Sequence, residues 1–404
     1  MHPDFSGLVK KDDALARMFE KWTPAPTVET VPLIESSGRV LAEDQFAQYN
    51  LPVVRASTMD GIAVKSACFA DGMPDTGSWT LGIDYVRADT GDDFDDAYDA
   101  VIAIEDVTFP ETGGIALSDG LQVKAGMNVK PCGKDVKQGS LLVRKGCVLR
   151  PQDTAAIAMG GQASVPVLRK PRVAFLPTGS ELTEVGSPLS RGQNFDTNSV
   201  MVAQMLREMG TEPILHPICP DKPESIRSAI ADLLPQADIL LVNAGTSKGG
   251  EDYCARILKE YGEVLFHGVA AVPGRPMSMA LIDGKPVVNL SGPSFAAFYS
   301  VDWAIRALVC RYLNIPVPVR EQVTASLTQR FQTPPFFSMM SAFHVERRAD
   351  GGYDASPVPL RGPKAAGSAA ALTANAVYIS ALGEKPHEAG ELIALELTTN
   401  RSWL

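Results

Sequence analysis

Three short, unbroken apolar runs each lead into a glycine-rich turn, and this repeat constrains the fold more than any other feature. Arg172-Val173-Ala174-Phe175-Leu176-Pro177 leads into Thr178-Gly179-Ser180-Glu181. Asp238-Ile239-Leu240-Leu241-Val242-Asn243 leads into a turn running from Ala244 through Gly245, Thr246, Ser247, Lys248 and Gly249 to Asp252. Pro286-Val287-Val288-Asn289-Leu290 leads into Ser291-Gly292-Pro293-Ser294. Runs without polar alternation read as strands buried on both faces, which predicts a parallel sheet in an α/β domain. Loops leaving the carboxyl ends of such strands form the ligand crevice. Glycine lets backbone N–H groups approach an anion closely, and Glu181 and Asp252 place carboxylates in the same turns. Amides that cradle an anion beside hard acidic ligands point to a phosphate-bearing substrate handled with a divalent cation.

Composition narrows the alternatives. A chain of 404 residues can bury cores without disulfides, and its six cysteines show no CxxC pairing, so reduced and mostly buried thiols are expected. The net charge of -10 argues against a nucleic-acid binder that works by global attraction. No run is long and apolar enough for a membrane span, and the first residues lack a signal-peptide pattern, so a cytoplasmic protein is expected.

Apolar spacing predicts helices over 10–21, 33–42, 152–159, 199–209 and 223–234. Between them, residues 61–146 read as short strands and glycine turns, with 123–130 and 141–144 as members. Beyond Pro318, alternating runs such as 376–379 and 391–397 predict a small β domain, and 364–371 reads as a loop with room for one helical turn.

Candidate chemistry lies in acids beside glycine or threonine: Asp60, Asp135, Glu181, Asp196, Asp221 and Asp252. Taken singly, each is also explained as a turn or helix-cap residue. Thr178, Gly179 and Ser180, together with the 245–250 turn, are the phosphate-facing candidates, and Lys248 and Arg275 are their positive partners. For Lys248 an exposed loop lysine is an equal reading, whereas the flanking prolines give Arg275 a rigid turn. His216 and His267 read as packed strand-end histidines. No Walker A or GxGxxG pattern occurs.

Taken together in order, the motifs resemble those of the molybdopterin molybdenumtransferases. They are Ser57-Thr58-Met59-Asp60-Gly61, Thr90-Gly91, Gly133-Lys134-Asp135, Thr178-Gly179-Ser180-Glu181-Leu182, Asp196-Thr197-Asn198-Ser199, Gly245-Thr246-Ser247, Gly250-Glu251-Asp252-Tyr253 and Pro273-Gly274-Arg275-Pro276. The resemblance implies a multidomain fold, α/β plus β. An elongated N-terminal region (1–50 and 147–170) carries an inserted β domain (51–146). A three-layer molybdopterin-binding α/β domain (171–318) and a C-terminal β-barrel-like domain (319–404) follow. It implies insertion of molybdenum, or tungsten, into adenylylated molybdopterin with Mg²⁺ and molybdate, releasing AMP. It also implies a homodimer, with other cofactor-synthesis proteins or a recipient molybdoenzyme as partners. Carried over by motif, Asp60, Thr90, Asp135 and Glu181 are catalytic, with Glu181 and Asp252 on the metal. Thr178, Gly179, Ser180, Asp221, the 245–249 turn, Asp252, Arg275 and Ser294 hold the substrate.

The departures cluster in the ligand loops. The family's Gly-Gly-Val-Ser-Val-Gly becomes 244–249 here, Pro-Gly-Lys-Pro becomes Pro273-Gly274-Arg275-Pro276, and Leu-Pro-Gly-Asn-Pro becomes Leu290-Ser291-Gly292-Pro293-Ser294. They motivate a second reading, a non-catalytic paralogue that binds, stores or delivers the finished cofactor.

Overall fold

The computed structural model describes residues 7–111, 113–244, 253–360 and 365–399. The chain divides into two compact units, one of residues 28–168 and one of residues 1–27 with 169–404.

In the 28–168 unit, a two-residue strand, Ala56–Ser57 (β1), is followed by Gly61–Val64 (β2), Tyr85–Ala88 (β3), Ala100–Ala103 (β4) and Val129–Lys130 (β5). β2 is the centre of an antiparallel sheet between β3 and β4, and β1 pairs with β5. Every residue of β2 and β4 is buried, with Ile62, Val64, Ile102 and Ile115 packed on one side. Contact between these strands is close enough to require glycine at 61, where a Cβ would lie 1.9 Å from the Ile102 carbonyl oxygen. A further antiparallel pair, Val28–Pro32 with Ser164–Leu168, accompanies the helix Pro151–Met159. Proline at the first turn of that helix costs no hydrogen bond, and Asp153 accepts from the Arg150 N–H.

The larger unit is organised around a six-stranded sheet. Its strands are Arg172–Pro177 (β6), Glu212–Leu215 (β7), Ile239–Ala244 (β8), Glu263–His267 (β9), Ser278–Ile282 (β10) and Lys285–Ser291 (β11), in the order β7-β6-β8-β11-β10-β9. The three apolar runs are the central strands β6, β8 and β11, mutually parallel as expected. The sheet as a whole is mixed, because the two-residue turn Asp283-Gly284 permits only antiparallel pairing of β10 with β11, and β9 pairs antiparallel with β10 across the longer 268–277 connection. Helices Thr197–Glu208 (α1), Pro223–Leu233 (α2), Tyr253–Tyr261 (α3), Ser294–Ser300 (α4) and Arg306–Leu313 (α5) flank it, the last two separated by a π-helical turn, Val301–Ile305. The Asp196 carboxylate accepts from the Ser199 N–H, 3.0 Å, and so caps α1. Ile226, Ile230 and Leu233 of α2, with Ile257 and Leu258 of α3, pack on the face presented by Ala174, Leu176, Leu240, Val242 and Val287.

Beyond α5, Gln322–Leu327 (β12), Ser338–Arg347 (β13), Tyr353–Pro357 (β14), Ala376–Ile379 (β15) and Leu392–Leu397 (β16) close into a five-stranded barrel. The cycle runs β13-β14-β12-β16-β15 and returns to β13. Closure removes free edges and encloses Phe343, Val345, Ala355, Ile393 and Leu395. The barrel joins the α/β layer by a parallel bridge, Ala271 with Ser338 and Val272 with Met339.

Several expectations fail for local reasons. The helix expected over 33–42 is a single 3-10 turn, Leu33–Glu35, because Gly38 at φ 77° turns the chain and Leu41 is drawn into backbone pairing with Cys147. Of 123–130 only Val129–Lys130 is strand, since 125–128 forms a turn with Asn128 at φ 54°. Cys68, Cys132 and Cys147 are exposed, against the expectation of mostly buried thiols. Among the described residues, no helix is long and apolar enough to cross a membrane.

Candidate functional site

In the smaller unit, the Thr58–Gly61 turn between β1 and β2 presents Asp60. The Asp60 Oδ1 accepts from the Thr90 N–H at 2.7 Å and from the Thr90 hydroxyl at 2.8 Å. These bonds, the backbone one first, hold the carboxyl below the ordinary aspartate range. The turn is fixed from beneath: Gly91 N–H donates to the Ser57 carbonyl and Ile104 N–H to the Asp60 carbonyl. Asp135 is tied to Lys130 at the end of β5, with Nζ–Oδ2 3.0 Å, and its N–H donates to the Leu51 carbonyl. β1 pairs with β5 through Ser57 opposite Val129, so both acids sit at the ends of one small ribbon.

Residues 56–129 carry fourteen acids and three bases, a net charge of -11, so this stretch alone accounts for the chain's net charge of -10 and the rest is nearly balanced. An anion approaching Asp60 therefore meets a strongly negative field, which only a cation or a dense set of N–H donors can offset.

In the larger unit, the first turn follows β6. Gly179 N–H donates to the Cys219 carbonyl, and a Cβ there would lie 2.7 Å from Leu182 and 3.0 Å from the Glu181 Oε1. Glycine thus lets the exposed Glu181 carboxylate fold back over the turn. The Ser180 hydroxyl accepts from the Asp221 N–H at 3.3 Å, joining the two predicted substrate residues. Burial, then the Asp221 charge, pushes the neighbouring Cys219 thiol up. Ser294, at the start of α4, hydrogen-bonds Thr197 at the start of α1, 3.0 Å. Gly245, Thr246, Ser247, Lys248, Gly249 and Asp252 lie outside the described residues.

Arg275 lines a cavity of about 730 Å³ between the α/β layer and the barrel. Val272, Pro273, Phe295, Phe337, Met339 and Leu360 supply its apolar walls, and Ser291, Gln332 and Ser368 its neutral polar groups. Gly274, at φ 111° beside the buried Ser300 hydroxyl, allows the Arg275 turn to pack closely. Such a cavity suits a flat heterocycle that bears an anionic group.

Sequence reasoning missed the polar framework beneath these turns. The buried Asn198 amide nitrogen donates to Asn243 Oδ1 at 2.8 Å and to the Gly292 carbonyl at 2.6 Å. Asn243 Nδ2 in turn donates to the Ser291 carbonyl at 2.9 Å. This chain of amides locks α1, β8 and the turn after β11 together. Beside it, Thr178 Oγ1, Asn289 Oδ1 and Ser291 Oγ are buried without hydrogen-bond partners. Each such group costs about 1–3 kcal/mol when left dry. The available signal was an asparagine inside each of two otherwise apolar strands, since buried amides need partners.

A resident Mg²⁺ can be tested against these side chains. Among the described residues, no three His, Cys, Asp or Glu side chains gather as a metal-holding group. Mg²⁺ needs fewer, because it commonly takes one or two carboxylates and completes its shell with water and substrate phosphates. An exposed Glu181 on a glycine turn fits that role.

Two family models match the chain in sequence order. Residues 9–161 match the MoeA N-terminal region (domain I and II), and residues 174–309 match a "Probable molybdopterin binding domain". The chain is a molybdopterin molybdenumtransferase family member. It is 29% identical over 414 residues to the molybdopterin molybdenumtransferase of Bacillus subtilis, covering 94% of this chain and 95% of that one. To the Haemophilus influenzae protein of the same name it is 29% identical over 350 residues, 83% and 82% of the two chains. A solved MoeA protein of Pyrococcus horikoshii superposes with a TM-score of 0.72 at 25% identity, over 96% of this chain and 100% of that one.

Proposed function

We propose that the protein inserts molybdenum into adenylylated molybdopterin and releases AMP, as an enzyme of molybdenum cofactor synthesis. The observation that carries this reading is retention of the acids in a built setting. Asp60 is held ionised by two hydrogen bonds from Thr90, and Glu181 stands over the glycine turn that Ser180 links to Asp221. Relatives matching nearly the full length of the chain bear the name of this activity.

In this reading the α/β turns and Arg275 bind the phosphates and the pterin, Glu181 holds the cation, and Asp60 and Asp135 are the catalytic acids of the smaller unit. Mg²⁺ would neutralise phosphate charge beside Glu181. The phosphoanhydride P–O bond breaks as an oxygen nucleophile attacks and AMP departs, and the two dithiolene sulfurs bind the metal as one molybdate oxygen leaves as water with the two thiol protons. The protein contributes positioning and charge neutralisation, with no covalent step on its own side chains. It acts in the cytoplasm as a homodimer and passes its product to later cofactor-synthesis proteins or a recipient enzyme.

The test uses purified Asp60→Ala and Glu181→Ala variants with adenylylated molybdopterin, Mg²⁺ and molybdate. Both should fold and lose AMP release by about a hundredfold or more. Wild-type turnover in both variants would refute the reading. Tight binding of mature cofactor without AMP release from the wild type would favour the carrier alternative that the altered loops suggest.

A further inference from the structure

Asp60 and Thr90 meet across two segments with little regular structure. Asp60 follows β1, a two-residue strand paired with the equally short β5. Thr90 leaves β3 on a stretch that continues as Asp92-Asp93-Phe94-Asp95-Asp96, four aspartates in five residues. Like charges so closely spaced repel and favour an open loop. Two backbone bonds join the segments, from the Gly91 N–H to the Ser57 carbonyl and from the Ser57 N–H to the Asp92 carbonyl, each 2.9 Å. Beyond them one side chain spans the gap. Arg55, just before β1, lays its guanidinium over the Phe94 ring, 4.8 Å to the centroid, and donates from Nη2 to the Asp95 carbonyl at 2.9 Å. Phe94 is itself buried with Ala63, Ala88 and Val101 of β2, β3 and β4, so its ring is a fixed anchor. The Asp96 carboxylate, 3.2 Å away, is fully exposed and adds little. Arg55 Nε is buried without a hydrogen-bond partner. An unsatisfied buried donor lowers stability, and an apolar stem would pack here without that cost.

We propose that Arg55 is a positioning residue for the Asp60–Thr90 pair, fastening the turn that carries the acid to the sheet that presents the threonine. The role rests on the insertase reading and falls to a residue outside the motifs that identified the family. A guanidinium can stack flat on a ring and donate in its own plane at the same time, which ties an apolar anchor to a backbone carbonyl. With that tie in place Asp60 meets both Thr90 donors, at 2.7 and 2.8 Å. Without it, repulsion along Asp92–Asp96 draws the loop away, and the two Ser57 backbone bonds oppose it alone.

Arg55→Met keeps an unbranched stem and removes charge and donors. Because an unsatisfied buried donor goes with them, the melting temperature of the smaller unit should stay within about 3 °C of the wild type. The Thr90 amide should exchange with solvent roughly tenfold faster, the scale of one lost charge-assisted hydrogen bond. AMP release should lose roughly tenfold in kcat, while KM for adenylylated molybdopterin stays within about twofold, since the turns proposed to bind it lie in the larger unit. Arg55→Lys keeps the charge and a donor without the planar fork, and should fall between the two in both exchange and kcat. A Thr90 amide that exchanges at the wild-type rate in Arg55→Met overturns the proposal, as does a raised KM with kcat intact, which would put Arg55 on the substrate. A lowered melting temperature with wild-type exchange and kcat would likewise overturn it in favour of a structural role. If the wild type releases no AMP, the insertase reading fails, and the exchange rate of the Thr90 amide still decides whether Arg55 holds the loop.

Discussion

Replacing Asn198 by alanine tests whether the amide chain beneath the ligand turns holds the larger unit together. The substitution strands the buried Asn243 Oδ1 and the half-buried Gly292 carbonyl, now bonded at 2.8 and 2.6 Å. Each stranded group costs about 1–3 kcal/mol, and removal of the Asn198 Oδ1, which has no partner, returns part of that. A net loss of about 2–4 kcal/mol follows. Scanning calorimetry should show it as a downward shift of roughly 5–10 °C in the transition of the larger unit. The decisive form is a double-mutant cycle with Asn243→Ala. Once Asn243 is gone, loss of Asn198 strands one acceptor fewer, so the two changes should couple by about 1–2 kcal/mol. Additivity within about 0.5 kcal/mol would refute the claim that these amides act as one unit.

Other expectations follow from individual contacts. Thr90→Val removes one of the two bonds that hold the Asp60 carboxyl low. Because a depressed pKa keeps the charged form at lower pH, the acidic limb of AMP release should move to higher pH in the variant; an unmoved limb would separate Asp60 from turnover. Burial lowers the His387 pKa, but hydrogen bonds to Glu391 and Glu384 more than reverse this and hold it above its usual value. A raised folded pKa gives stability that is fully present below the unfolded value near 6.5 and lost as pH rises through the folded value. His387→Gln should therefore flatten barrel stability across that window in thermal melts, and an unchanged pH slope would contradict the assignment. Gly61→Ala forces a Cβ to 1.9 Å from the Ile102 carbonyl oxygen, so the inserted sheet should lose more than about 3 kcal/mol or fail to form, as read by hydrogen exchange.

How much of this was visible in the residues depends on how local each cause was. The central strands were legible because Val173–Leu176 and Ile239–Val242 carry no polar alternation, and the capped helices because Asp196 and Pro223 mark their starts. The antiparallel edge was not, since the direction of β10 depends on connections between elements and not on its own apolar pattern. The 33–42 segment has helical spacing, but Leu41 is buried by strand-like pairing in the smaller unit, and tertiary packing overrides the pattern. At the candidate site, Asp60 with Thr90 and Ser180 with Asp221 were named from motifs, and the structure joins each pair by hydrogen bonds. The amide chain of Asn198 and Asn243 escaped notice as a unit because its significance lies in burial and mutual hydrogen bonding, which only coordinates reveal.

The insertase reading is tested most directly by AMP release from adenylylated molybdopterin with the wild-type protein and Mg²⁺, followed as molybdate is titrated. Saturable release that requires molybdate, with metal appearing on the dithiolene in equal amount, is the expected result. Binding of the adenylylated pterin with no AMP at any molybdate concentration would contradict it.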